Sequence, residues 1–255
     1  MIDIHSHILP GVDDGAQTLE DSIRMAEEAV KEGITHLYAT PHHRNGRYEN
    51  EKSLILKQVD ELNRELFERE IPLHILPGQE IRLYKELIED LDQGLLLPLH
   101  NKVNYFLIEF PFSHVPNDTA DIFYELNLRN YHPIIVHPER NSEIMEKPDL
   151  LYNFISNGAL TQVTASSING NFGKKIMNFS HDLIRSNLAH FIASDAHNTS
   201  SRGFHLIQAI ETIQKQYGID TRYYLQENAE LVLKGESILI EPPSHIKRKK
   251  FLGIF

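Results

Sequence analysis

The sequence predicts an α/β fold built on parallel strands, and three observations carry that prediction. Seven short apolar runs recur along the chain. Longer amphipathic stretches separate them. Nearly every apolar run ends in histidine or a carboxylate. Strands alternating with helices lead to a parallel barrel or a doubly wound sheet.

The expected strands are Ile2–His5, Ile34–Ala39, Leu73–Leu76, Tyr105–Glu109, Pro133–Val136, Leu160–Thr164 and Phe191–Ala193. Most are continuously apolar, as strands covered on both faces are. For the first helix, Thr18 is a cap with Asp21 three residues on. Leu19, Ile23, Ala26 and Val30 then share one face, and Gly33 is the stop. Helices are also expected over Asn50–Glu70, Asp118–Asn130, Asp149–Asn157, Lys174–Asn187 and Phe204–Tyr217. No repeat or Gly/Ser-rich linker divides the chain, so residues 1–240 are expected to form one domain. Residues 241–255 combine prolines, a basic run and an apolar tip. They read as a tail, either a solvated extension or a contact for a partner or a membrane surface.

Composition excludes several functions. The net charge of −11 argues against nucleic acid, which is gripped through a broad basic face. No apolar run approaches the ~20 residues that span a bilayer. The N-terminus lacks a basic start and an apolar signal core, so a cytoplasmic location is the default expectation. There is no cysteine, which removes thiolate metal sites and cysteine nucleophiles together. The 15 histidines make the strand ends the place to look.

There the first strand offers His5-Ser6-His7, then Asp13-Asp14-Gly15. The second offers Pro41-His42-His43, the third Gly78-Gln79-Glu80 and the fourth Glu109. The fifth offers His137-Pro138-Glu139-Arg140, and the last Asp195-Ala196-His197. In parallel α/β folds the carboxyl ends of strands share one face, so residues remote in sequence converge. Histidines two apart on a straight strand point to opposite faces, but a bend at the strand exit can bring both to one centre. A lone His-x-His is a weak signal; nine candidate ligands at six strand ends are not. Imidazole plus carboxylate suits manganese, zinc or iron, the carboxylates favouring harder ions.

The order of these motifs resembles that of the polymerase and histidinol phosphatase (PHP) superfamily. It is most similar to the bacterial protein-tyrosine phosphatase branch, capsule and exopolysaccharide regulators of the CpsB and YwqE type. The carrying segments are Met1–Pro10, Val12–Gly15, Ala39–His43, Pro77–Arg82, Leu107–Pro111, His137–Asn141 and Ala193–Asn198. The resemblance implies a distorted barrel of about seven strands. It also implies three divalent metal ions, most often manganese, with iron, zinc, magnesium or cobalt as alternatives. By motif, His5, His7, Glu80 and Asp195 would hold one ion. Glu80 would bridge to a second, shared with Glu109 and His137. Asp14, His42 and His197 would hold the third, with Asp13 an open alternative to Asp14.

Three such ions against four carboxylates leave two formal positive charges, enough to attract a phosphate dianion into an acidic protein. The expected chemistry is in-line attack on phosphorus by a metal-bridging hydroxide, without a covalent enzyme intermediate. Arg140 and Arg202 are the expected donors to the phosphoryl oxygens, since the guanidinium fork matches them. His43 could serve as a proton donor, but an ordinary surface role is the simpler reading. His74, His100, His181 and His245 carry no expected function. The expected substrate is a phosphotyrosine protein, in the first place a bacterial tyrosine kinase. The rival expectations are a phosphatase of histidinol phosphate or another small molecule, a nuclease, and a non-catalytic metal-binding regulator.

Overall fold

The first strand, β1 (Ile2–Ser6), leads into helix α1 (Leu19–Lys31), and a computed structural model describes the chain over residues 1–99 and 104–247. Thr18 caps α1: its hydroxyl accepts from Asp21 N–H, and its own N–H donates to the Asp21 carboxylate at 3.0 Å. This reciprocal box satisfies two of the orphan donors of the first turn. Gly33 follows the helix at φ +69°, a conformation that glycine adopts without steric penalty.

The chain continues through β2 (His36–Ala39), β3 (His42–His43), α2 (Lys52–Glu68), β4 (His74–Pro77), β5 (Glu80–Arg82) and α3 (Leu87–Asp92). Then come β6 (Asn104–Glu109), α4 (Thr119–Leu128) and β7 (Tyr131–Val136). A 3-10 turn at Pro138–Arg140 precedes α5 (Ser142–Glu146), α6 (Asp149–Ser156), β8 (Leu160–Thr164), α7 (Ala165–Ile168) and α8 (Lys174–Arg185). The described chain ends with β9 (Phe191–Ala193), α9 (Leu206–Tyr217) and α10 (Ile219–Lys234). Every strand pairing is parallel. The order is β1-β2-β4 in one sheet and β3-β5-β6-β7-β8-β9 in the other.

The two sheets are parts of one distorted barrel. β2 and β3 are one stave interrupted at Thr40–Pro41; β4 and β5 are another, interrupted at Gly78–Gln79. At the far side, Asp195 N–H donates to His5 O and His7 N–H to Ala196 O, joining β9 to β1. Counted as staves there are seven among the described residues, in agreement with the expectation. The ladders do not run unbroken around the ring, because the interruptions coincide with the strand ends that carry ligand-type residues.

Alternate strand residues divide between two apolar clusters, as the strand period of two requires. Phe106, Ile108, Ile135, Val163 and Ile192 face the helices. Tyr105, Leu107, Ile134, Val136, Leu160 and Phe191 face inward with Ile4 and Tyr38, and Val232 and Ile238 pack onto them. Five expected strands shift, extend or shorten by one or two residues, and two are found as expected. Helix α10 was not anticipated. Its core face includes Asn228, fully buried, whose amide donates to His190 O and Leu239 O. A polar residue at a core position hides the apolar period.

The start of the expected tail lies against the body. Asn187 Nδ2 donates to Pro242 O, Ser244 N–H to Ser186 O, and the His245 ring stacks on Tyr152 at 3.8 Å. The basic run from Arg248 and the apolar tip fall outside the described residues, as does His100. Among the described residues, no helix is long and apolar enough to cross a membrane.

Candidate metal centre

The strand ends converge because local backbone distortions turn them toward one point. β1 has an irregular register between Asp3 and Ser6, the kind of bulge that re-aims a side chain. His5 Nε2 and His7 Nε2 therefore lie 3.3 Å apart, although the residues are two apart in sequence at the strand's exit. His137, directly beyond β7, and Asp195, two residues beyond β9, adopt left-handed φ of +36° and +52°. Non-glycine residues rarely hold such angles, and they cluster at functional sites.

All nine expected ligands meet within this region. His5 Nε2 lies 3.5 Å from Glu80 Oε2 and 3.6 Å from Asp195 Oδ1; for His7 Nε2 these distances are 3.3 and 3.4 Å. The other Glu80 oxygen, Oε1, is 2.8 Å from His137 Nε2, which lies 3.9 Å from Glu109 Oε1. Asp14 Oδ1 faces His42 Nε2 at 3.3 Å and His197 Nε2 at 3.5 Å. Three groups each offer donor atoms within 4.8 Å of one another: His5, His7 and Glu80; His42, Glu80 and Glu109; and His7, Asp14, His42 and His197. His7 and His42 thus each join a group beyond the one the motif order had implied for them.

The donors fit divalent cations. Ligands about 2.1 Å from one centre stand roughly 3.4 Å apart at a tetrahedral edge; the His5, His7 and Glu80 donors lie 3.3–3.5 Å from one another, and Asp195 Oδ1 stands 3.6 and 3.4 Å from the two histidines. His42 Nδ1 approaches Glu80 Oε2 to 2.7 Å. Yet both atoms, and His197 Nε2, are buried without an aligned hydrogen-bond partner among the described residues. Buried lone pairs facing one another need a cation between them.

Two side chains take supporting roles: Gln162, which the sequence reading misses, and Asp13, which it leaves as an alternative ligand to Asp14. Gln162 Oε1 is 2.8 Å from His5 Nδ1, and Asp13 Oδ2 is 2.6 Å from His7 Nδ1. Each holds its ring so that Nε2 faces the cluster, the usual work of outer contacts around metal-binding histidines. Asp13 also accepts from Gly15 N–H and His42 N–H, so its carboxylate is engaged and Asp14 supplies the cluster oxygen. Gly15 is required here: a Cβ would stand 2.0 Å from His7 O. The Asp-Asp-Gly motif signalled the place without dividing the roles. Gln162 gave no signal, since nothing in sequence connects it to His5. His43 is buried but belongs to none of the donor groups; His74 is exposed, His181 bonds Tyr217 and His245 meets Asp149.

Neighbouring charges and burial shift the groups of the cluster in opposite directions. Burial disfavours the His42 cation, but the Glu80 carboxylate and Asp14 raise its pKa to about 10. Burial and the Glu80 charge push Glu109 up to about 7. Burial, then Arg140, brings His137 down to about 4. Hydrogen bonds from His197 and His42 hold Asp14 well below the usual carboxylate range. Opposed shifts among neighbouring groups mark a site built around charge.

Above the cluster is a cleft of about 300 Å³, lined in part by Arg47, Tyr48, Arg82, Phe112, Arg140 and Arg202. Arg140 Nη1 donates to Asp195 Oδ2 at 2.5 Å, and its guanidinium carbon lies over the Phe112 and Phe172 rings, 5.1 and 5.2 Å from their centres. Arg202 reaches Asp14 Oδ2 at 3.2 Å and Asp195 Oδ2 at 3.5 Å. Arg82 holds Glu109 Oε2 through Nε and Nη2, each at 2.9 Å.

The family model described as capsular polysaccharide synthesis, CpsB/CapC, matches residues 1–234. The chain belongs to the CpsB/CapC family. It is 50% identical over 255 residues to the tyrosine-protein phosphatase YwqE of Bacillus subtilis, covering all of both chains. It is 41% identical to the putative tyrosine-protein phosphatase CapC of Staphylococcus aureus, again over both full lengths. A crystal structure from work on B. subtilis YwqE and Streptococcus pneumoniae CpsB, described as unique metal-dependent tyrosine phosphatases, superposes with a TM-score of 0.94. That match has 50% identity and covers 97% of this chain and 100% of the other. The distorted barrel is therefore the fold of this CpsB/CapC member.

Proposed function

We propose that this chain is a metal-dependent protein-tyrosine phosphatase, loaded with manganese, that acts on a bacterial tyrosine kinase in the control of capsule or exopolysaccharide synthesis. The observation that carries the reading is the convergence of seven donors in three groups, with His137 against Glu80 and Asp195 against His5 and His7, beneath an arginine-lined cleft, in a chain alike over its whole length to YwqE. His5, His7, Glu80 and Asp195 would hold one ion. Glu80, Glu109 and His137 would hold a second, and Asp14, His42 and His197 a third. The two Glu80 oxygens face different partners, which favours a bridging role. Asp195 lies within 3.5 Å of His197 Nδ1, so the groups are contiguous.

Bound ions would polarise phosphoryl oxygens and make a hydrolytic water acidic at neutral pH. The chain's own residues do the rest. Arg140 and Arg202 present guanidinium groups over the cluster and receive the charge that develops on the phosphoryl oxygens. Their pairing with Asp195 and Asp14 sets both side chains in place before substrate arrives. Phe112 and Phe172 remove water from around Arg140, which strengthens its interaction with an anion. A phenolate with a pKa near ~10 leaves without a strong general acid, so the cleft needs no dedicated proton donor.

The decisive experiment is elemental analysis of the purified protein beside hydrolysis of phosphotyrosine, phosphoserine and histidinol phosphate. Phosphotyrosine should be preferred, and activity should vanish with a chelator while surviving thiol alkylation. Activity retained after exhaustive metal removal would overturn the reading.

A further inference from the structure

Four arginines line the cleft, and three of them are held by carboxylates of the cluster: Arg82 by Glu109, Arg140 by Asp195, and Arg202 by Asp14 and Asp195. Arg47 differs. Among the described residues no carboxylate lies within ion-pair range of it, although the chain carries 36 acidic residues. Its guanidinium carbon instead sits 4.9 Å from the centre of the Tyr48 ring. That ring stacks in turn on His42, with centroids 6.2 Å apart and planes 8° from parallel.

The loop that presents Arg47 is preset. Asn45 Oδ1 accepts from Arg47 N–H at 3.0 Å and from Tyr48 N–H at 2.8 Å. Arg44, at the near end, is pinned by Glu49 at 2.8 Å and Asp90 at 3.2 Å. A stack therefore runs from His42 in the cluster, through Tyr48, to an exposed guanidinium at the rim. Arg47 touches the cluster only through Tyr48, whereas Arg140 and Arg202 pair directly with its carboxylates and are the ones placed to receive the phosphoryl group. An anion meeting Arg47 belongs to another part of the substrate, beyond the phenyl ring.

We propose that Arg47 is a specificity residue that receives an Asp or Glu side chain flanking the phosphotyrosine of the protein substrate. A planar fork backed by an aromatic ring is suited to a carboxylate, and the ring contact limits the rotamer entropy lost on binding. This inference rests on the phosphatase reading above.

The test uses the full manganese-loaded chain and two phosphotyrosine peptides that differ only in Asp and Glu against Asn and Gln at the flanking positions. For a partly exposed ion pair the acidic peptide should be favoured roughly three- to fivefold in kcat/KM. The preference should lie in KM and shrink as salt is added. Arg47→Ala should bring the ratio to about one, and Arg47→Glu should reverse it. Equal kcat/KM for the two peptides with the unaltered chain, or an unchanged ratio in Arg47→Ala, overturns the role of Arg47. If neither peptide is hydrolysed, the phosphatase reading itself falls. Manganese content equal in all variants shows that the cluster is not the cause.

Discussion

Asp13 Oδ2 lies 2.6 Å from His7 Nδ1, and that contact separates two adjacent aspartates into different roles. Asp13 fixes the His7 ring, while Asp14 turns toward His42 and His197. Replacing Asp13 by Ala should weaken metal binding by roughly 10–100-fold, as loss of an outer contact does, and excess metal should restore turnover. Asp14→Ala should lose a direct donor and resist such rescue. Titration of activity against added manganese distinguishes them; identical rescue curves would contradict the division.

Glu80 is fully buried and meets His5, His7, His42 and His137 through its two oxygens. Glu80→Ala should abolish hydrolysis and lower the metal stoichiometry, a larger effect than the ~10–100-fold of an outer contact. Elemental analysis of the purified variant reads this directly.

Arg140 should separate from the metal ligands. Arg140→Ala should retain the full metal content while turnover on phosphotyrosine falls roughly 10²–10³-fold, the effect of losing one oriented donor to a developing oxyanion. Loss of metal in this variant would instead make the Arg140–Asp195 pair a structural support.

His190 provides a pH dependence remote from the donor groups. It is fully buried, with Nε2 lacking a partner among the described residues, and burial lowers its pKa from 6.5 to about 4. Between those values the unfolded chain binds a proton that the folded chain does not. Its effect is to remove stability as pH falls below 6.5. Asp3, pushed up to about 6 by burial, acts in the opposite sense. Its folded form keeps a proton that the unfolded form has lost, so its effect removes stability as pH rises. Comparing the wild type with His190→Gln at each pH cancels the Asp3 contribution. In chelated protein, the wild type should lose about 2 kcal/mol more than the variant between pH 7 and pH 5. Urea denaturation at the two pH values measures it, and parallel losses would contradict it.

The sequence alone determined the class of fold and the addresses of the nine candidate ligands. Apolar runs such as Leu160–Thr164 stand out because a strand buried on both faces has no polar side to interrupt it. Ligand-type residues stand out because strand ends are where such runs stop. The barrel's interruptions at Thr40–Pro41 and Gly78–Gln79 and the helix around Asn228 were not legible, since each depends on partners distant in the chain. Tertiary structure also decided that Asp14 and not Asp13 faces the cluster, that Gln162 orients His5, and that Arg47 alone among the cleft arginines lacks a carboxylate in range among the described residues. These are matters of direction and pairing within a few ångströms. Side-chain direction there depends on a bulge in β1 and on left-handed residues at His137 and Asp195, which local periodicity does not encode.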